Sequence, residues 1–423
     1  KDSRQSLTRL ELLKKGMEDV LLGSNGIIPI EDKIIIGLAD FDASNGRIRV
    51  PARSLNTVLT GTFSIKNHKY LYSKTGSTTT YRECVEWNPS KTCKTWSTSV
   101  LPTTPSTSGY SYESCNYSGV NNCYVYYKSE NVAKNQRYAL VEAARNLTAY
   151  NGATPTAYAY AEVASYLMGT ATLDGIYEQV GYKVNGAYKA CKTIKSGYTT
   201  LTGYGVIDPL NPLNPLDPTR EESDLGKTIN LRECNTTENG SVPTGLDIGV
   251  FRYGNDSYAY YKLIPASLTT SAYSGWTRSV DDAKDGFNYA MPQSIRDQLT
   301  DRDKRECSGQ GIYFLTDGEP NHGGSNTGSN GVSGTAYQLM KSSLTTKASI
   351  FSCANSDLGK SNNNYRYSMT HWKCIGNYAT TLLDNTKNPA GLRFNSAVVG
   401  FGSGFNGASN DPDVNDAKTW GVL

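Results

Sequence analysis

Four apolar residues, Ile312-Tyr313-Phe314-Leu315, run straight into Thr316-Asp317-Gly318. An apolar run this short, closed by turn residues, reads as a buried strand with a carboxylate at its carboxyl end. In open α/β sheets the ligand crevice lies outside the carboxyl ends of the strands, so Asp317 stands where a binding residue would stand. The plainer alternative is that Asp317 only makes the turn or caps a helix. A second stretch, Asn151-Gly-Ala-Thr154-Pro155-Thr156-Ala157, bears on that choice.

The length of 423 residues exceeds the usual size of one domain, which predicts either a single domain with large insertions or two to three domains. Apolar content is low at 38%, while Gly 40 and Tyr 30 are high. That combination predicts a modest core beneath much loop and strand surface. A net charge of +3 without a long basic run argues against nucleic acid as a partner, and no stretch approaches the roughly 18 apolar residues of a membrane span. Nine cysteines are spread without a CxxC pair, so disulfides in an oxidising compartment are expected rather than zinc or thioredoxin-like chemistry. Sequence neighbours suggest Cys84 with Cys93, Cys115 with Cys123, Cys191 with Cys234 and Cys353 with Cys374, leaving Cys307 over. The chain opens at Lys1 without a signal-peptide pattern, and with these cysteines it reads as a mature secreted fragment.

Leu7, Leu10, Leu13, Met17, Val20 and Leu21 recur at helical spacing and predict a helix over 7–22. Residues 33–41 then read as a strand, Asp42-Ala-Ser-Asn-Gly46 as a turn and 47–50 as a second strand. From about 66 to 135 apolar periodicity fades into Ser, Thr, Tyr and Asn. It returns in a helix from Gln136, followed by the 152–156 loop and a helix from Pro155 to about Leu167. Residues 170–306 form a second interruption. Within it, Asp208-Pro-Leu-Asn211-Pro-Leu-Asn214-Pro-Leu-Asp217-Pro repeats every three residues, the polyproline II period, and reads as a rigid spacer or as a row of calcium-binding oxygens. A hairpin is expected over 250–265, helices over 335–347 and 372–383, and a buried strand over 394–401. Asp411-Pro-Asp413-Val-Asn415-Asp416 imitates an EF-hand opening but lacks its glycine and its closing acid, and reads as a loop.

Without the two interruptions, the order is helix, strand hairpin, helix, GATPT loop, helix, LTDG strand, helix and VVGFG strand. That series resembles the von Willebrand factor A domain, an α/β fold with a doubly wound sheet. The resemblance implies a metal-ion-dependent adhesion site in which Thr154 and Asp317 hold a divalent cation, Mg²⁺ or Ca²⁺. Oxygen ligands with open positions suit a hard cation that completes its shell with a partner's carboxylate. Thr154 could instead cap the helix that begins at Pro155. The family's Asp-x-Ser-x-Ser element is missing: Asp2-Ser3-Arg4-Gln5-Ser6 carries Arg4 at a hydroxyl position, and a guanidinium cannot ligate a cation. The expectation is that this element and its strand lie upstream of Lys1.

Trp372-Lys-Cys374-Ile-Gly-Asn-Tyr-Ala, Lys387-Asn-Pro-Ala-Gly391, Ala397-Val-Val-Gly-Phe-Gly402 and Asn410-Asp-Pro-Asp-Val-Asn-Asp-Ala-Lys-Thr-Trp-Gly421 narrow the match further. They resemble the amino-terminal region of the PilC/PilY proteins, over about half of the chain, mainly 136–168 and 307–421. The resemblance implies an extracellular protein of the type IV pilus tip or outer membrane, needed for pilus biogenesis and adhesion. Its implied partners are a host cell-surface or matrix ligand and pilin or minor pilins. The expected division is a core in three parts (1–66, 136–169, 307–408), disulfide-bearing insertions at 67–135 and 170–306, and a tail at 409–423 leading toward a carboxy-terminal region.

Three functions compete: adhesin, structural or priming component of the pilus tip, and secreted enzyme. Only His68, His322 and His371 are present, with no HExxH, GxSxG or P-loop pattern, so no catalytic residue and no enzyme is expected. Tyrosine, 30 against 9 Phe and 5 Trp, lies beside Ser, Gly and Asn in the insertions. That is the composition of antibody paratopes, and equally of thin β-structure covered by rings with wet hydroxyls.

Overall fold

A computed structural model of the chain describes residues 8–23, 27–42, 45–117, 120, 122–148, 155–175, 178–183, 189–207, 225–239, 248–253, 256–263, 273–316, 335–353 and 372–400. They form a mixed α/β protein that divides into two compact units, residues 1–38 with 52–149, and residues 39–51 with 150–423.

Helix α1 (Arg9–Leu22) begins at Thr8, whose hydroxyl accepts from the Glu11 amide while Glu11 reaches back to Thr8, and it ends at Gly23 in the left-handed region at φ 72°. Strands β1 (Ile35–Asp42) and β2 (Asn45–Ser54) pair with each other. Strands β3 (Val58–Thr75), β4 (Thr78–Trp87), β5 (Cys93–Trp96), β6 (Ser111–Ser114) and β7 (Asn122–Asn135) form an antiparallel sheet in the order β5-β4-β3-β7-β6. Helix α2 (Gln136–Arg145) follows without a loop, capped by Asn135. The boundary expected at 67 falls within β3, a single strand that crosses that position.

The first unit is tied at Arg137, which is only 2% exposed. Its guanidinium donates to the carbonyl of Leu21 at the end of α1, to that of Ile30 and to the Asp32 carboxylate at 2.7 Å. Gln136 Nε2 donates to the Ile36 carbonyl at 2.8 Å. A buried charge needs partners, and these bonds hold α1 and the 30–36 stretch to α2. On the sheet, the Phe63 ring stacks on Tyr138 of α2 at 4.9 Å.

The register of β3 against β7 moves by one residue between His68↔Tyr127 and Tyr70↔Tyr126, a bulge at Lys69. The extra residue switches the parity of β3. Phe63 and Ile65 before it share a face with Tyr70 and Tyr72 after it, and with Tyr124, Tyr126 and Val132 on β7. On the opposite face Leu71, Cys123 and Val125 are buried beneath Trp96, Cys115 and Tyr117. That small core is closed by the expected disulfides Cys84–Cys93 and Cys115–Cys123.

In the second unit, helix α3 (Thr156–Met168) is buried almost all round and ends at Gly169, again left-handed. Strands β8 (Glu178–Lys183), β9 (Lys189–Ile207), β10 (Leu225–Asn239), β11 (Ile248–Tyr253) and β12 (Asp256–Leu263) close into a barrel in the order β10-β8-β12-β11-β9. Five strands cannot alternate direction all the way round. Closure therefore forces one parallel seam, which falls at β10–β8, while the other four pairings are antiparallel. Strands β13 (Lys284–Asp285) and β14 (Asn288–Tyr289) make a short hairpin before helices α4 (Gln293–Thr300) and α5 (Arg302–Cys307). Strand β15 (Gln310–Thr316) pairs in parallel with β16 (Phe394–Gly400), from Gln310↔Phe394 to Thr316↔Gly400. Parallel neighbours need a crossover, and helices α6 (Thr335–Ser343) and α7 (Trp372–Leu383) lie between them in sequence. The expected pair Cys353–Cys374 is bridged, and Cys307 is free and exposed. Cys234 is disulfide-bonded too, while the side chain of Cys191, its expected partner, falls outside the described residues.

The expected helices and strands stand within a few residues of their places. A doubly wound sheet, implied by the resemblance, is not seen among the described residues: their sheets are mostly antiparallel, and the pair β15–β16, which leads into Thr-Asp-Gly in sequence, is parallel. Nothing pairs β1 with β15 among the described residues. The spacer at 208–217 and the tail at 411–416 lie outside the described residues.

Two glycines test the packing. A Cβ on Gly46 in β2 would lie 2.5 Å from both Cα and Cβ of Ala159 in α3, whereas a Cβ on Gly16 in α1 meets nothing within 4 Å. Gly46→Ala is expected to lower unfolding stability by about 1–3 kcal/mol through overpacking. Gly16→Ala should raise it by about 0.5–1 kcal/mol. Denaturant midpoints of the two variants check both signs.

Candidate functional site

Thr154 and Asp317, the residues expected to hold a cation, lie outside the described residues, as do His322 and His371. Their neighbours are described. Helix α3 starts at Thr156, so its N-cap is Pro155, with φ −79°, ψ 59° and no side-chain cap bond. Thr154, which the sequence offers as a cap as well as a cation ligand, lies outside the described residues. Thr156 and, at the carboxyl end of β15, Thr316 are both buried. Tyr160, one turn into α3, hydrogen-bonds Ser396 of β16, which pairs with Ile312. Among the described residues no group of three or more His, Cys, Asp and Glu is placed to hold a metal.

The side-chain cluster that sequence reading missed centres on Glu162, the one charged residue of α3 and 0% exposed. Asn45 Nδ2 donates to Glu162 Oε1 at 2.8 Å and to Asp174 Oδ2 at 2.7 Å. The Thr172 hydroxyl donates to Oε1 at 3.1 Å and Oε2 at 3.0 Å. Tyr289 Oη donates to Oε2 at 2.5 Å, and the Trp276 amide to the same oxygen at 3.2 Å. Trp276 Nε1 reaches Asp42 at 2.8 Å. A carboxylate offers about four acceptor sites, and protein donors occupy them all. This closes Glu162 to substrate and to metal. Its signal in the sequence was a lone glutamate in the run Thr156-Ala-Tyr-Ala-Tyr160-Ala-Glu162, otherwise small and aromatic.

His68 is likewise engaged. It is buried between Trp96 and Tyr127, Nδ1 accepts from the Cys93 amide at 3.2 Å, and Nε2 lies 3.3 Å from Glu113. Burial lowers its pKa, with Glu113 pulling the other way. It is a strut of the first unit rather than an exposed base.

The open surface is on the other face of that sheet. Past the Lys69 bulge, Tyr70, Tyr72, Tyr81, Tyr112, Tyr124 and Tyr126 are half-exposed or exposed and touch one another ring to ring. Centroids are 5.3 Å apart for Tyr72–Tyr81, 5.8 Å for Tyr72–Tyr124, 5.6 Å for Tyr112–Tyr124, 5.9 Å for Tyr112–Tyr126 and 6.4 Å for Tyr81–Tyr126. Tyr110 meets Tyr70 at 5.7 Å and lies under the Lys128 ammonium at 4.6 Å, while Lys69 stands 5.9 Å over Tyr70. Tyr112 is 65% exposed. Composition announced many tyrosines, but only the register and the bulge bring these to one face.

Glu162 carries a pH dependence. Burial first, then the charge of Asp174, push its carboxyl from the ordinary 4.5 up to about 8, against the pull of Tyr289, Asn45 and Thr172. The folded value is above the unfolded one, so the folded chain holds the extra proton between them. The stabilising contribution is full below about pH 4.5 and is lost as pH rises through about 8. The unfolding midpoint of the parent should therefore fall across that window, and Glu162→Gln should flatten the fall. An equally steep fall in both would assign the dependence to other groups.

Comparison of the chain with protein-family models, curated proteins and solved structures gives no match.

Proposed function

We propose that the chain is a binding module of the PilC/PilY kind, an adhesin and biogenesis factor of type IV pili built on a von Willebrand A-like core. In this reading it acts outside the cell and engages a host-surface, matrix or pilin partner, and it is not an enzyme. The observation that carries the reading is the parallel register of β15 and β16, with Thr-Asp-Gly following the carboxyl end of β15. In a sheet of parallel strands that end is where ligand crevices form. Three disulfides agree with an oxidising compartment, and no helix among the described residues is long and apolar enough to cross a membrane.

Thr154 and Asp317 contribute a hydroxyl and a carboxylate, both hard oxygen donors suited to Mg²⁺ or Ca²⁺. A cation bound there would attract an acidic side chain of the partner into its open positions. Arg4 keeps the Asp2–Ser6 stretch from adding the hydroxyl ligands of the family motif. A second reading, a priming component of the pilus tip that binds pilins alone, uses the same fold and residues.

Binding of the purified chain to piliated cells, to purified pilin and to host cells tests both readings. Attachment should be lost in EDTA and return with Mg²⁺ or Ca²⁺, and Thr154→Ala and Asp317→Ala should each lower it about tenfold, the loss of one good charge-assisted contact. Attachment to pilin but not to host cells would favour the priming role. Attachment to either that ignores EDTA and both substitutions would remove the cation from the mechanism.

A further inference from the structure

We infer that the tyrosine face of the five-stranded sheet binds a uronate-bearing polysaccharide, its sugar rings lying on the tyrosines and its carboxylates meeting the bordering lysines. The inference rests on the binding-module reading and gives that module a ligand class of its own, separate from the cation loop. The face is not a leftover of folding. It continues the surface that α2 covers through Phe63 and Tyr138, and the Lys69 bulge keeps Tyr70 and Tyr72 on it. Without that extra residue, Tyr70 and Tyr72 would point into the small core and Leu71 would face water.

Three observations select the occupant. The rings touch at centroid distances of 5.3–6.4 Å, roughly the advance per sugar along an extended polysaccharide. A tyrosine ring carries an apolar side suited to the C–H bonds of a pyranose and a hydroxyl suited to its oxygens, and Tyr112 presents its ring 65% exposed. Finally, the charge is sparse and positive. Glu86, Glu113 and Glu130 are ion-paired to Lys94, Lys66 and Lys91. Lys69, Lys74 and Lys128 border the rings, and Glu83 stands opposite Tyr70. Three ammonium groups against one carboxylate suit a polymer with a charge on every second sugar. A nucleic acid or a heavily sulfated chain, with a charge on every unit, would need more cations and would be repelled by Glu83.

Calorimetric titration of the full chain with hyaluronan oligosaccharides, heparin oligosaccharides, dextran and single-stranded oligothymidylate decides the matter. Hyaluronan should bind with a micromolar Kd that weakens with salt and is unchanged by EDTA. Tyr112→Ala, at the most exposed ring, should weaken binding about tenfold, and Tyr112→Phe much less. Lys128→Ser should weaken it about threefold and reduce the salt dependence. Tyr124→Ala is a second probe, interpretable where its near-ultraviolet circular dichroism matches the parent. The inference is overturned if hyaluronan fails to bind, if heparin, dextran or oligothymidylate binds more tightly, if Tyr112→Ala binds as the parent does, or if EDTA abolishes the hyaluronan signal. Cell attachment that ignores EDTA while hyaluronan binding persists would sink the cation reading and leave this one standing.

Discussion

Burying a carboxyl in a helix enclosed almost all round is tolerable only if each of its lone pairs meets a donor, and Asn45, Thr172, Trp276 and Tyr289 meet that condition at Glu162. The donors come from the start of β2, from the stretch after α3, from the loop before β13 and from β14. Asn45, Thr172 and the 276–289 stretch are far apart in sequence. Once α3 is central, each must arrive in its place or leave a polar group unsatisfied. Protonation sharpens the demand. Amide donors cannot accept, so a neutral Glu162 requires the hydroxyl of Tyr289 or Thr172 to turn round. The closeness of Gly46 to Ala159 has the same origin, because Asn45 reaches Glu162 only if β2 lies directly on the helix.

The first unit solves a different problem. Its sheet has an apolar patch of a few side chains on one face, too little to order strands of 10–18 residues by burial alone. Two disulfides, closing loops of 9 and 8 residues, stand where a larger core would otherwise be. They remove conformational freedom from the unfolded chain and leave the opposite face free of any packing duty beyond Phe63 and Tyr138. That freedom is what permits seven tyrosines, counting Tyr110, to remain open on it.

Helices α1 and α2 were legible because apolar residues repeat at 3.6, and β15 and β16 because their apolar runs end at turn residues. Strand β3 was not. Thr60, Thr62, Ser64 and Lys66 alternate with residues that are apolar only at Phe63 and Ile65, and the bulge at Lys69 then reverses the alternation. The barrel was read only as a hairpin over 250–265, since Thr193, Thr199, Thr200 and Thr202 give β9 no clear inner side in the sequence. At the site, Asn45 reads as a turn residue, and Glu162 stands in a small and aromatic run without any local sign of its partners. What makes them partners is a separation of 117 residues closed by tertiary packing, which no local pattern encodes. The two-residue cation pattern, Thr154 and Asp317, rests on sequence alone.

Tyrosine connects the two solutions. In the second unit Tyr160, Tyr289 and Tyr378 are buried rings whose hydroxyls reach Ser396, Glu162 and Ser343. Burial pushes the Tyr160 phenol up to about 12 and the other two well above their ordinary value, so each stays neutral and keeps its proton to donate. On the open sheet the same residue works half in water. Burial by neighbouring rings raises Tyr81 and Tyr126 as well, and their hydroxyls remain neutral groups able both to donate and to accept. Phenylalanine would serve neither place, since it would leave Glu162 without its shortest bond and turn the sheet into an apolar patch prone to self-association. A chain with 30 tyrosines and 9 phenylalanines thus has the composition required when rings must pack and yet keep a hydrogen bond to give.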